Sequence, residues 1–220
     1  MRLFLIRHGQ TPANVLGQLD TAHPGPGLTD LGARQASVIP DALRADPVQA
    51  IFASTLVRTQ LTAGPLAEDR NLEIQVATGL HEIEAGSLEG LSDRASVRRY
   101  LETIVAWGAG ELSETMPGAF NGHSFLRRFD ADIEAATVSV ETAVVFSHGA
   151  AIRVWTAARA LNMAPRFAVE NDLDNTGVVE LTGSHQEGWA LVSWAGMPVG
   201  GGQLTDPSAD DPISDPRDHL

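Results

Sequence analysis

The chain contains no cysteine. Thiolate nucleophiles, cysteine-held zinc or iron–sulfur sites and thiol-based redox switches are therefore excluded. It contains no lysine either, so all 15 basic residues are arginine. Schiff-base chemistry, the P-loop lysine and the kinase strand lysine fall away with it. Positive charge is scarce overall: 28 acidic residues leave a formal net charge of −13, which disfavours a nucleic-acid partner. The N-terminal apolar run, Leu3 to Ile6, lies between two arginines and is too short for a signal-peptide core or a membrane span. A cytoplasmic protein is the expectation. What is present, 220 residues with 43% hydrophobic and 20% charged, suits one globular domain that needs neither disulfides nor a structural metal for stability.

Apolar runs punctuate the chain at intervals that predict alternating strands and helices. Strands are expected at 3–6, 50–53, about 72–76, 142–146, 177–182 and 189–194. Helices are expected from Thr29 as N-cap, after Ser54 as cap with Gly64-Pro65 kinking or shortening the helix, and at 93–107, 124–137 and 150–161. This pattern predicts a doubly wound three-layer α/β/α domain with a mostly parallel central sheet. The domain is placed at 1–196. Residues 197–220 are rich in Gly, Pro and Asp and are expected to form a flexible acidic tail.

Two of the seven histidines occupy the same place in the pattern, since His8 and His148 each follow an apolar strand and each precede glycine. In an open α/β sheet ligands bind beyond the carboxyl ends of the strands. Arg7 adjoins His8, and Arg58 falls just after the strand ending at Ser54, so the cluster suits an anion, with the planar guanidinium fork matched to phosphoryl oxygens. The motifs RHGQT at 7–11, Arg58 in STLVRTQLTA, Glu82 in LHEIEAGSLEG and SHGAAIR at 147–153 together resemble the histidine phosphatase superfamily, which includes the cofactor-dependent phosphoglycerate mutases. The resemblance runs over about residues 2–182 and takes in Asn14, LTDLGARQA and Asn175.

That resemblance implies a phosphoglycerate mutase-like fold and His8 as a nucleophile that forms a phosphohistidine. Arg7, Arg58, His148, Asn14 and Gly149 would hold the phosphoryl group, and Glu82 would be the proton donor and then the base for water. By spacing alone Glu84 and Glu89 compete with Glu82. Where many relatives have Gly-Glu-Ser, this chain has Gly122-His123-Ser124, which makes His123 either a substrate contact or an exposed loop residue. No cofactor and no metal are expected. The partner implied is a small phosphomonoester, with no membrane and no nucleic acid, and a homodimer is allowed.

The mutases of the family carry a basic insert, whereas Arg94, Arg98 and Arg99 are here balanced by acids, so hydrolysis is expected over mutase-type transfer. Three other readings stand beside it. One is a protein that only binds phospho-ligands; a second is metal chemistry at Asp130-Ala131-Asp132; the third is zinc held by His8, His81, His123 and His148.

Overall fold

The computed structural model describes residues 1–164 and 166–220, without the side chains of 218 and 219. Six strands form one sheet: β1 (Arg2–Arg7), β2 (Ala50–Ser54), β3 (Ile74–Ala77), β4 (Thr142–Ser147), β5 (Val178–Ser184) and β6 (Gly188–Ala195). The helices are α1 (Pro12–Val15), α2 (Asp30–Ser37), α3 (Ile39–Ala42), α4 (Val57–Arg70), α5 (Arg94–Gly108), α6 (Gly122–Thr137), α7 (Gly149–Arg159) and α8 (Phe167–Glu170). Strand order is β3-β2-β4-β1-β5-β6. β3, β2, β4 and β1 run parallel, and β5 and β6 complete the sheet antiparallel.

The continuous apolar runs make sense because both faces of the central strands are covered. Leu3, Leu5, Ala50, Phe52, Ala143 and Val145 join the core under α5, α6 and α7. The alternate residues Phe4, Ile6, Ile51, Ala53, Val144 and Phe146 join the core on the opposite face with Ile39, Ala63 and Leu66. Helix starts follow local chemistry: the side chains of Thr29, Asp93 and Asn121 accept the backbone N–H of Gly32, Ser96 and Ser124.

Two expectations need correction. α4 continues through Pro65 to Arg70. Pro65 lacks the N–H that would meet the Leu61 carbonyl, but Leu61 is on the exposed side and burial of Ala63, Leu66 and Ala67 holds the helix in place. Ser54 does not cap α4, whose N-cap is Leu56 with no side-chain bond. The loop after β1 contains the single turn α1, capped by Thr11 and Asn14. In the C-terminal segment Asp211, Ile213 and Ser214 bond Arg7 and Arg153, partners that its own composition could not reveal.

Leu5 is fully buried in β1, whereas Val138 is 62% exposed. Leu5→Ala should cost about 2–5 kcal/mol in denaturant unfolding, and Val138→Ala no more than about 0.5 kcal/mol. Equal effects would contradict this account of the core.

Candidate active site

Parallel pairing of β1 with β4 sets Arg7 against Ser147, so the residues that follow, His8 and His148, leave the sheet side by side. Their ring centroids are 5.2 Å apart. Gly9 follows His8 because the chain must pass directly against the start of α2. A Cβ at residue 9 would lie 2.6 Å from the Gly32 carbonyl oxygen.

The His8 ring is oriented by its own loop. Nδ1 sits 2.8 Å from the Gly9 carbonyl oxygen, and since a carbonyl only accepts, Nδ1 carries the proton and Nε2 keeps its lone pair. Asn175 Nδ2 donates to the His8 carbonyl at 3.1 Å and Gly9 N–H donates to Thr62 Oγ1. Burial, then Arg58 and Arg7, push the His8 pKa well below its ordinary value, which keeps the imidazole neutral.

His148 is fully buried behind it, with Nε2 2.8 Å from Ser54 Oγ. Among the described residues its Nδ1 has no hydrogen-bond partner, and neither has Arg7 Nε. When the Ser54 hydroxyl donates to Nε2, the ring proton lies on Nδ1, which then becomes a donor toward an incoming oxygen. Burial and Arg58 push the His148 pKa down as well.

Arg58 projects from the first turn of α4, its guanidinium held by the Asp20 carboxylate at 3.2 Å and the Asp20 carbonyl at 2.8 Å. Gly25, at φ +68°, lets the 20–27 loop close on it, since a Cβ there would meet Arg58 Nη1 at 2.6 Å. Asn14 Oδ1 accepts from Thr11 N–H, Thr11 Oγ1 and Asn175 Nδ2. Its Nδ2 is thus the polar group left for a ligand.

Glu82 is buried and lines the same cavity as Arg7, His8, Asn14 and Arg58. Its Oε1 accepts from Ile83 N–H and Ala151 N–H, and its Oε2 from Ala150 N–H at 3.2 Å. Two N–H groups at the start of α7, where an anion binds well, are therefore taken by Glu82 and are not free for a substrate. Burial raises its pKa and outweighs these bonds. Oε2, with one long bond, is the oxygen suited to carry a proton. Arg128 clamps the loop by donating to the carbonyls of Gly79, His81 and Glu82, and Tyr100 donates to that of Ile83.

The competing carboxylates are elsewhere. Glu89 bonds Thr21 and Ala22, and Glu84 pairs with His81 near the surface. His123 is exposed and does not line the cavity. It stands second in α6, where Asn121 does the capping, so its place in the motif gives it no contact with the site. Gly149 lies against Arg7: a Cβ there would be 3.1 Å from Arg7 Nε. Asp130 and Asp132 bond Trp155, Arg159 and Gly79, so that pair is structural. Among the described residues no three His, Asp or Glu side chains converge as metal ligands. Ser54 and Arg128 are additions to the expected site, and Asn175, part of the resemblance, had no role assigned there. Ser54 carried a signal in its position at the same sheet edge as His8 and His148, and Asn175 one in the resemblance.

Residues 3–196 match the model of the histidine phosphatase superfamily, branch 1. The chain belongs to this superfamily. A mycobacterial glucosyl-3-phosphoglycerate phosphatase solved with VO3 is 25% identical, with a TM-score of 0.75 over 89% of this chain and 99% of that one. A PE-PGRS family protein, PE_PGRS11 of Mycobacterium tuberculosis, is 40% identical over 90% of this chain and 37% of its own length. The adenosylcobalamin/alpha-ribazole phosphatase of Salmonella typhimurium is 35% identical over 49% of this chain and 52% of its own. The chain thus spans about a third to a half of these curated relatives. Like the solved neighbours it is a mixed α/β domain with a largely parallel sheet. No helix among the described residues is long and apolar enough to cross a membrane.

The depressed histidine pKa values have a thermodynamic consequence. Below the ordinary value of 6.5 the unfolded chain takes up protons that native His8 and His148 refuse, so their contribution to stability is complete above that pH and declines below it. Glu82, shifted upward, acts in the opposite sense with a single proton. Replacing His8 by Asn should therefore flatten the stability slope between pH 5 and 6.5 by up to about 1.4 kcal/mol per pH unit, measured by denaturant unfolding. An unchanged slope would contradict a neutral buried His8.

Proposed function

We propose that this protein is a metal-independent phosphomonoester hydrolase that works through a phosphohistidine on His8. The observation that carries the reading is the pair of buried nitrogens without partners among the described residues, Arg7 Nε and His148 Nδ1, on residues beside a neutral imidazole whose Nε2 carries the lone pair. Buried polar groups left unpaired are costly. A phosphoryl group at this point would pair both.

His8 Nε2 attacks phosphorus, forming the P–N bond as the bond to the substrate oxygen breaks. Glu82 Oε2 delivers its proton to the departing oxygen, so the leaving group departs as a neutral alcohol. Water then attacks phosphorus, the P–N bond breaks back onto His8, and Glu82 takes up the water proton. Arg7, Arg58, Asn14 and the His148 Nδ1–H stabilise the charge on the transferring group. Arg58 is also the cation nearest in effect to Glu82 after its burial and its Ile83 bond.

Hydrolysis is favoured over mutase-type transfer by the position of the remaining arginines. Arg94, Arg98 and Arg99 are exposed on α5 and none lines the catalytic cavity, so they provide no second anion clamp there. A small phosphorylated metabolite in the cytoplasm is the substrate class in keeping with this reading, and the glucosyl-3-phosphoglycerate and alpha-ribazole phosphatases among its relatives define the compounds to try first.

Phosphate release from an aryl phosphate and from these compounds, with chelator present, tests the proposal. Wild type should turn over, and His8→Ala should lose at least about 10³-fold, as when a covalent nucleophile is deleted. Equal activity of the two would refute the site. Ligand-induced thermal stabilisation without any phosphate release would instead make the protein a phospho-ligand binder.

A further inference from the structure

The catalytic cavity is roofed by the C-terminal segment. Asp211, Pro212 and Ile213 form part of its lining, and the remaining space is about 30 Å³, room for one or two waters and too little for a phosphomonoester. Asp211 Oδ2 lies 2.5 Å from Arg7 Nη2, with both side chains buried. Ser214 Oγ is 2.9 Å from Arg7 Nη1 and donates to Asp211 Oδ2 at 3.1 Å. The Ile213 side chain lies against Gly149, where a Cβ would come within 2.2 Å of Ile213 Cγ2.

The segment is pinned on both sides of the cavity. Before it, Asp206 accepts from Gln10 Nε2 and Asp210 N–H donates to the Val15 carbonyl. Beyond it, the Leu173 N–H donates to the Ser214 carbonyl, and Arg217 bonds Asp172 and the Glu170 carbonyl. Beneath it, Arg153 donates to the carbonyls of Ile213 and Ser214. Arg153 is thereby taken up in holding the strap, although it belongs to the motif that contains His148. The strap lies beyond residue 196, where the family match ends.

We propose that Asp211 is a built-in competitor of the substrate phosphoryl group, and that the 206–217 strap is an autoinhibitory segment that must leave Arg7 before a phosphomonoester can bind. A carboxylate on a guanidinium fork presents the charge and oxygen geometry that a phosphoryl group would present. The two anions cannot share Nη2 in a cavity of this size. This inference rests on the phosphatase reading of the site. It adds that the protein is held shut until an anion, with whatever contacts its leaving group makes, displaces the strap. Because displacement is reciprocal, a ligand that takes Arg7 must also loosen the strap.

Orthovanadate is the probe, and the full chain is the protein. Asp211→Asn and, as a variant that leaves the ion pair intact, Ile213→Ala should both bind orthovanadate more tightly than wild type. The gain for Asp211→Asn is on the order of tenfold, because the fraction of open protein limits apparent affinity. In wild type, saturating orthovanadate should speed hydrogen exchange in residues 206–217. Unchanged or weaker binding by both variants would overturn the proposal. Slower exchange on binding would overturn it too, since it would make the strap a lid that closes over substrate. If wild type binds orthovanadate and releases phosphate while these results fail, only the strap is misread. If no form binds orthovanadate or releases phosphate, the phosphatase reading fails and the strap proposal with it.

Discussion

The site depends on the parallel register of β1 and β4. With Arg7 opposite Ser147, two histidines 140 positions apart in the chain emerge at one sheet edge within ring-contact distance. A shift of one residue would turn every side chain of either strand to the other face. The register is protected because both faces are buried and alternate residues of β1 and β4 belong to different cores. Packing of the whole domain therefore supports the spacing of two rings.

From that juxtaposition the electrostatics follow. Burial and the neighbouring guanidiniums keep both imidazoles uncharged, which suits the nucleophile and neutral-donor roles proposed for them. The same burial pushes Glu82 in the direction of its protonated form. One buried pocket thus shifts imidazole and carboxyl in opposite directions, toward the uncharged form of each, as the proposed transfer to nitrogen and protonation of a leaving oxygen require. The arginines can sit in such a pocket because each is tied to a carboxylate or to carbonyls: Arg58 to Asp20, Arg7 to Asp211 and Leu173, Arg128 to the Glu82 loop.

Much of this was legible in the amino-acid order. The central strands show as short unbroken apolar runs because they are covered on both faces, and His-Gly at two strand ends marks the sheet edge where the candidate site lies. Elements governed by distant partners were not legible. Ser54 reads locally as a helix cap, yet its hydroxyl turns to His148. His123 sits at a motif position, but the cap at Asn121 leaves it exposed. The 197–220 segment has the composition of a loose tail, and its bonds to Arg7 and Arg153, far away in sequence, cannot be read from that composition. Gly64-Pro65 reads as a helix break, while burial of the turns on both sides of it keeps α4 whole.

The central claim is that His8 is the nucleophile and that its Nε2 forms the bond. The direct measurement is to trap the phosphoenzyme by an alkaline quench during turnover, locate the modified residue by peptide mapping, and assign the phosphorylated nitrogen by NMR. The account predicts phosphate on His8 at Nε2, because Nδ1 is committed to the Gly9 carbonyl. Phosphate on His148, on Nδ1 of His8 or on a carboxylate would contradict it.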